Sequence, residues 1–413
     1  MFDRFVGEKI FCGVDVGSQR IKASLLKVKD PRNIQLLDIS EIKTNGFQDA
    51  SVSDLGELAD SIQTLLNAMA RKNNVRFKDV YLGFSGDLIE MRTTKSAIPL
   101  IERGSKVITN TDIKKVNIQA RLLGVKMEEE VLHGFPQSYE VDDINIAINP
   151  LGLYGRKLEV NTLLVVCNGT PIRNIVKAVQ QAGYDVAGTY FSAYAASRVL
   201  LDEKQLQEGC CLLDIGARVT NILIFRDGVL KFIDKINWGG RHVVQKIADD
   251  LQVSLDLSEE IKKTHTSALK TDQRNDEEIL VKRDSAYIPI KREAICNAID
   301  PEITLFVQSL KEAVARSALF GQLNSGIMAI GGGSLLPGLI ERIEEALGLP
   351  VRLGKLSLSN HNPQSVAVYA PAVGLAQLGA NKYFSELFLL NNHAGGGNNR
   401  LINKMKEFYH EYF

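Results

Sequence analysis

The chain has 413 residues, enough for two or three folding units that each bury a sizeable core. Its 49 Lys and Arg balance 49 Asp and Glu, so no global field gathers a polyanion, and a general nucleic-acid coat is disfavoured. With 45% hydrophobic and 24% charged residues, the composition argues against both wholesale disorder and a multi-span membrane protein.

In chain order, Met1 to Cys12 mixes Asp3, Arg4, Glu8 and Lys9 with apolar residues and lacks a long apolar run, so neither a signal peptide nor a span is expected there. Lys9 to Val28 reads as two strands, IFCGVDV and IKASLLKV, around the turn GSQR. Leu55, Leu58, Ala59, Ile62, Leu65, Leu66 and Met69 recur at three- and four-residue steps and predict an amphipathic helix, followed by a strand at Val80 to Phe84. From Gly86 to Val160 the pattern changes to extended pieces around one helix, Asp112 to Leu123, closed by INPLGLYGRK; this predicts an inserted subdomain. Strand, helix and strand return at Leu163 to Cys167, at Ile172, Ile175, Val176 and Val179, and at Asp185 to Tyr190, an alternation that implies an α/β fold.

Gly209 to Gly228 repeats the opening plan: Asp214 matches Asp15 and Gly216 matches Gly17, each pair 199 positions apart. Thr264 to Asp284 is mostly polar and charged and predicts a solvated loop or the edge of a lobe. Further on, strand Ile327 to Ile330 leads into Gly331, Gly332, Gly333 and Ser334, then a helix with Pro337 near its start. A helical segment at Pro371 to Gly379 precedes the linker composition of Asn391 to Asn399. The five cysteines show no C-x-x-C spacing and predict buried thiols in a reducing compartment, and the six scattered histidines do not suggest a transition-metal site.

Each repeated turn sets a carboxylate at a strand end before a glycine turn, the geometry phosphate chemistry needs. Glycine lets main chain approach oxygens, Ser18 adds a donor, and Asp15 and Asp214 can hold Mg²⁺ directly or through water. One such turn is a weak signal; two in register are stronger, with two ordinary hairpins as the alternative. The Gly331 cluster, between strand and helix, suits a sugar or an α-phosphate. Glu259 and Lys262, three apart on one helix face, either grip a ribose or form a solvated ion pair.

The tail RLINKMKEFYHEYF spans 400–413. Leu401, Met405, Phe408 and Tyr412 form one stripe and Ile402, Met405, Tyr409 and Phe413 another beside it, making one apolar, aromatic helix face. Fourteen residues are too few to span a bilayer, so such a helix lies in the headgroup plane or docks on the protein's own body.

Taken together, FCGVDVGSQRIK, LLDIGARVTNI and IMAIGGGSLLPGL resemble the two phosphate loops and the adenosine loop of the actin superfamily of ATPases. VYLGFSGDLIEM, VLHGFPQSYEVDDINIAINPLGLYGRKLEV, YFSAYAASRVLLDEKQLQEGC and NWGGRHVVQKIADDL resemble the FtsA family of bacterial cell-division proteins over essentially the whole chain. The resemblance implies an α/β, actin-like (ribonuclease H-like) fold of two lobes binding ATP and Mg²⁺ between them, with an inserted α+β subdomain and a C-terminal amphipathic helix. It divides the chain into a first lobe at 1–85 and 161–202, rejoined by 370–390, and an insertion at 86–160. A second lobe at 203–369 carries an outer subdomain at about 240–305, before the linker 391–399 and the membrane helix 400–413.

By matching motif, Asp15, Gly17, Ser18, Gln19 and Lys22 would line the phosphates from one lobe. Asp214, Gly216, Ala217, Arg218, Gly239 and Gly240 would do so from the other, with Glu259, Lys262, Gly331, Gly332, Gly333 and Ser334 on the nucleoside. Where the family has D-x-G-G-G-T, this chain has Asp214-Ile215-Gly216-Ala217-Arg218-Val219, so binding is expected with at most slow hydrolysis. The implied partners are the tubulin-like FtsZ, further copies of the chain in a filament, later divisome proteins and the cytoplasmic membrane lipid at the division site, with no nucleic acid. An actin-like scaffold of a type IV pilus or secretion machine, binding a peptide of an inner-membrane partner, is the second reading, and a sugar kinase the third.

Overall fold

IFCGVDV and IKASLLKV, rich in branched apolar residues and buried in near-continuous runs, fold into an antiparallel pair, Lys9–Val16 with Arg20–Asp30, that seeds the first sheet. The computed structural model describes residues 8–48, 50–101, 104–147, 149–269, 278–283, 286–356 and 363–392. These divide into two compact units, one comprising the chain up to Val199 with that from Pro371 onward, the other Leu200–Ala370.

In the first unit Asn33–Lys43 extends the hairpin antiparallel, while Asp79–Phe84 and then Asp185–Phe191 add in parallel on the other side. The second unit repeats this sheet strand for strand. Val229–Ile236, Thr220–Arg226 and Cys210–Ile215 run antiparallel, and Ile327–Ile330 and Val351–Leu353 follow in parallel.

Helices Leu55–Lys72 and Gly169–Gln181 bury Leu58, Ile62, Leu66, Ile172 and Ile175 against one face of the first sheet. Asp54 caps the first of these by accepting from the Glu57 N–H at 2.9 Å. The other face is glycine where it must be. A Cβ at Gly13 would lie 2.0 Å from the Ala372 carbonyl oxygen, and one at Gly83 2.5 Å from Leu375 Cδ1. The helix that comes so close, Pro363–Asn392, is itself stripped down, and a Cβ at its Gly374 would lie 1.9 Å from the Ala195 carbonyl. It extends well beyond the expected Pro371 to Gly379, so Asn391 and Asn392 are helical rather than linker; the rest of the linker and the tail lie outside the described residues.

The insertion is a four-stranded antiparallel sheet in the order Asn145–Ala147, Glu129–Val141, Lys157–Asn168, Ile89–Pro99, covered by helix Asn110–Leu123. Ile113, Val116, Ala120, Tyr139, Leu158 and Val160 form its own small core. Strand Lys157–Asn168 runs through the expected boundary at Val160, burying Leu158 and Val160 in the insertion and Cys167 in the main core.

One local expectation is corrected in the second unit. Thr264 to Asp284 is not a solvated loop throughout: Thr266, Ser267 and Ala268 are buried, and Glu278–Arg283 pairs with Ala286–Lys291. Ile279 faces the core there, an alternation that the surrounding charges mask. Pro337 does stand near the start of the helix after the glycine cluster, which begins at Leu339 once Gly332–Leu335 has formed a 3₁₀ turn and Gly338 has taken a left-handed φ of 78°.

Candidate phosphate loops

Both turns are built on one register. Val16 pairs with Ile21 and Ile215 with Thr220, leaving four-residue loops closed by the Gly17 N–H on the Arg20 carbonyl at 3.2 Å and the Gly216 N–H on the Val219 carbonyl at 3.0 Å. One residue before the end of each first strand stands a carboxylate, Asp15 opposite Lys22 and Asp214 opposite Asn221.

After the third strand, the chain folds back over the turn in both units. In the first, Thr44 donates its N–H to the Gln19 carbonyl at 3.1 Å and its hydroxyl to the Gly17 carbonyl at 2.8 Å. In the second, Gly240 and Arg241 donate to the carbonyls of Gly216 and Ala217 at 3.0 and 2.8 Å. These first N–H groups of helix Gly240–Leu251 therefore hold the loop rather than a ligand.

Within the first unit, Asp15 is buried at 7% exposure. Its Oδ1 accepts the Ser192 hydroxyl at 2.6 Å. Burial pushes its carboxyl above the usual carboxylate range, opposed by the positive charge of Lys22 and by the Ser192 hydrogen bond. Ser18 is half-buried, and Gln19 is exposed at the tip.

Within the second unit the predicted residues converge. A Cβ on Gly239 would lie 2.5 Å from the Gly216 carbonyl, one on Gly331 2.4 Å from the Ile215 carbonyl and 2.8 Å from Asp214 Oδ1, and one on Gly333 2.5 Å from Ile215 Cγ2. Three separate segments thus meet through bare backbone around the Asp214 turn, where Gly331 also holds a left-handed φ of 84°. Lys262 Nζ lies 2.8 Å from Glu259 Oε2 and 3.4 Å from the Gly240 carbonyl. Glu259 is half-buried; desolvation raises its carboxyl, but hydrogen bonds and charge from Lys262 and Lys263 outweigh that and hold it below the usual range. Gly332 is exposed, and the Ser334 hydroxyl turns inward onto the Gly331 carbonyl at 2.7 Å. Arg218 and Ala217 are half-buried on the loop.

Three participants escape sequence reasoning. Asn221 donates to Asp214 Oδ2 at 3.1 Å, and the pairing register of the second hairpin signals it. Thr44 and Ser192 lie far along the chain from the turns they hold, with no local pattern to single them out. The oxygen donors fit Mg²⁺, which takes one or two carboxylates and keeps several waters. Among the described residues no helix is long and apolar enough to cross a membrane.

Comparison with known proteins bears on this arrangement. Family models for "Cell division protein FtsA" and "SHS2 domain inserted in FTSA" match residues 211–374 and 86–166, together more than half of the chain. Cell division protein FtsA of Escherichia coli (strain K12) is 25% identical over 91% of this chain and 92% of its own length. That of Streptococcus pneumoniae serotype 2 is 26% identical over 88% of the chain and 78% of its own length. Among solved structures, the PilM-PilN type IV pilus biogenesis complex aligns with a TM-score of 0.65 at 17% identity, covering 90% of this chain and 98% of that one. MreB5 of Spiroplasma citri bound to ADP aligns at 0.54 and 14%, covering 94% and 99%. At such identities these two share the fold alone, an actin-like one.

Proposed function

Because the chain belongs to the FtsA family of cell-division proteins and has an actin-like fold, we propose that it is a nucleotide-dependent adaptor that binds ATP with Mg²⁺, assembles with further copies of itself and links FtsZ to the cytoplasmic membrane at the division site. The observation that carries the nucleotide reading is the pair of turns with one register and one carboxylate position.

In this reading the backbone of the Gly17 and Gly216 turns, with Ser18 and Lys22, meets the phosphates, and Glu259, Lys262 and the Gly331–Gly333 backbone meet the nucleoside. Asp15 and Asp214 would hold Mg²⁺, which when bound neutralises phosphate charge. Arg218 supplies a guanidinium for a phosphate oxygen where relatives are expected to carry glycine. Binding is favoured over turnover, since YFSAYAAS carries no carboxylate to orient a water. The insertion supplies a contact surface, with Ile118, Leu122, Leu123 and Met127 exposed along and just past its helix.

Calorimetry with Mg²⁺ and ATP tests the nucleotide reading, using Asp15→Asn as the control. The variant is expected to lose at least tenfold in affinity. Because burial raises the Asp15 carboxyl, the ionised form is a cost to the folded state at neutral pH; the urea midpoint without nucleotide should therefore not fall. Equal ATP affinity in the two proteins would overturn the site.

A further inference from the structure

The hydroxyl on Asp15 belongs to a line of contacts that leads out of the phosphate turn. Ser192 is 2% exposed and begins helix Ser192–Leu200, directly after strand Asp185–Phe191. One residue earlier, the Phe191 N–H, which belongs to the Tyr190–Phe191 peptide, donates to His133 Nε2 at 2.9 Å. His133 sits on Glu129–Val141, a strand of the insertion sheet, and is 3% exposed. Its ring lies 4.8 Å from that of Tyr194, the third residue of the Ser192 helix, and stacks on Phe135 at 5.5 Å. Six residues along the same strand, the Tyr139 hydroxyl and the Asn117 side chain of the insertion helix are within hydrogen-bond distance, 2.9 Å from the amide nitrogen.

His133 accepts at Nε2 and is therefore the neutral imidazole with its proton on Nδ1. Burial, and secondarily the charge of Arg121, pushes its basicity far down, which keeps that state fixed across physiological pH. Asp15, Ser192, Phe191, His133 and Phe135 are all buried, in an interior where the displacement of one group is felt by its neighbours. A cation or phosphate that displaces the Asp15 carboxylate either draws the Ser192 hydroxyl with it or takes away its acceptor. The adjoining residue Phe191, hydrogen-bonded to His133, is the link from there to a strand of the insertion.

We infer that Ser192 is a positioning residue that couples nucleotide occupancy at Asp15 to the inserted subdomain, through the Phe191 N–H and His133. The inference rests on the nucleotide reading of the Asp15 turn and adds a direction of signalling to it: the insertion, rather than the turn itself, reports the ligand.

The test is hydrogen–deuterium exchange of the full chain with and without saturating Mg²⁺ and ATP, in the wild type, Ser192→Ala and the size-conserving Ser192→Cys, with affinities from calorimetry. In the wild type, nucleotide is expected to change exchange in 129–141 and 110–123 at least twofold. Ser192→Ala, still saturated with ATP, should lose that change while keeping it at 12–22, and Ser192→Cys, with its weak S–H donor, should fall between. A merely structural Ser192 would leave the nucleotide-dependent difference at 129–141 in place. That result, or a wild type that binds ATP with no change there, overturns the inference alone. A wild type that does not bind ATP overturns the nucleotide reading and the inference with it.

Discussion

Asp15 and Asp214 hold the same place in two copies of one hairpin, yet the strand opposite gives them different neighbours. Across from Asp15 stands the cation of Lys22, and across from Asp214 the amide of Asn221. That asymmetry is visible in sequence once the turns are aligned, because it depends only on hairpin register. Ser192 is not, since its bond to Asp15 closes over 177 residues and nothing in YFSAYAAS marks one hydroxyl over another. His133 is equally silent in the sequence, where it reads as one of six scattered histidines. Buried, it falls from an ordinary 6.5 to about 3, so the unfolded chain binds a proton that the folded one refuses. Its contribution to stability is therefore complete above about 6.5 and is lost as pH falls toward about 3. One proton corresponds to about 1.4 kcal/mol per pH unit within that window. Urea midpoints measured at pH 7, 6 and 5 should fall more steeply for the wild type than for His133→Gln; parallel slopes would show that another group governs the acid limb.

At the scale of elements, hairpins and amphipathic helices are legible because their signals are local: branched apolar runs on either side of a glycine turn, and a period near 3.6 with Asp54 as a cap. The strand Glu278–Arg283 was missed because charge hid its single core-facing face. The extent of Pro363–Asn392 was missed for another reason, an apolar helix whose fit depends on bare glycines in distant strands. Gly13 faces backbone atoms of that helix, which cannot turn aside as a flexible side chain can. Gly13→Ala should accordingly destabilise by about 3 kcal/mol or more in urea titration, as overpacking of a close-packed interior does. Gly321→Ala meets nothing within 4 Å and should stay within ~0.5 kcal/mol. Comparable losses at the two sites would mean that the sheet and helix do not pack as described.

For the whole molecule, the duplication first read from two turns extends to two five-stranded sheets of one order and direction. The likeness of the turns follows from the whole unit having been repeated, while the insertion belongs to one copy only. A chain with 49 charges of each sign has no net field to draw it to an anionic lipid surface, so membrane attachment, as proposed, must come from local apolar burial. On that proposal the tail is the segment that would supply it, since read at helical spacing its sequence sets Leu401, Met405, Phe408 and Tyr412 in one stripe with Arg400, Lys404 and Lys406 beside it. Each buried CH₂ contributes about 0.8 kcal/mol and each basic residue near an anionic surface about 1 kcal/mol; seven apolar or aromatic side chains, each carrying several carbons, against three basic ones make the apolar term the larger. Removing residues 398–413 should abolish flotation with vesicles of anionic and neutral lipid, and Phe408→Glu should reduce it at least tenfold. Raising salt from 0.1 to 0.5 M should weaken the wild type only partly. If the truncated protein floats as well as the full chain, lipid is bound elsewhere; if salt alone releases the full chain, charge and not the aromatic face holds it.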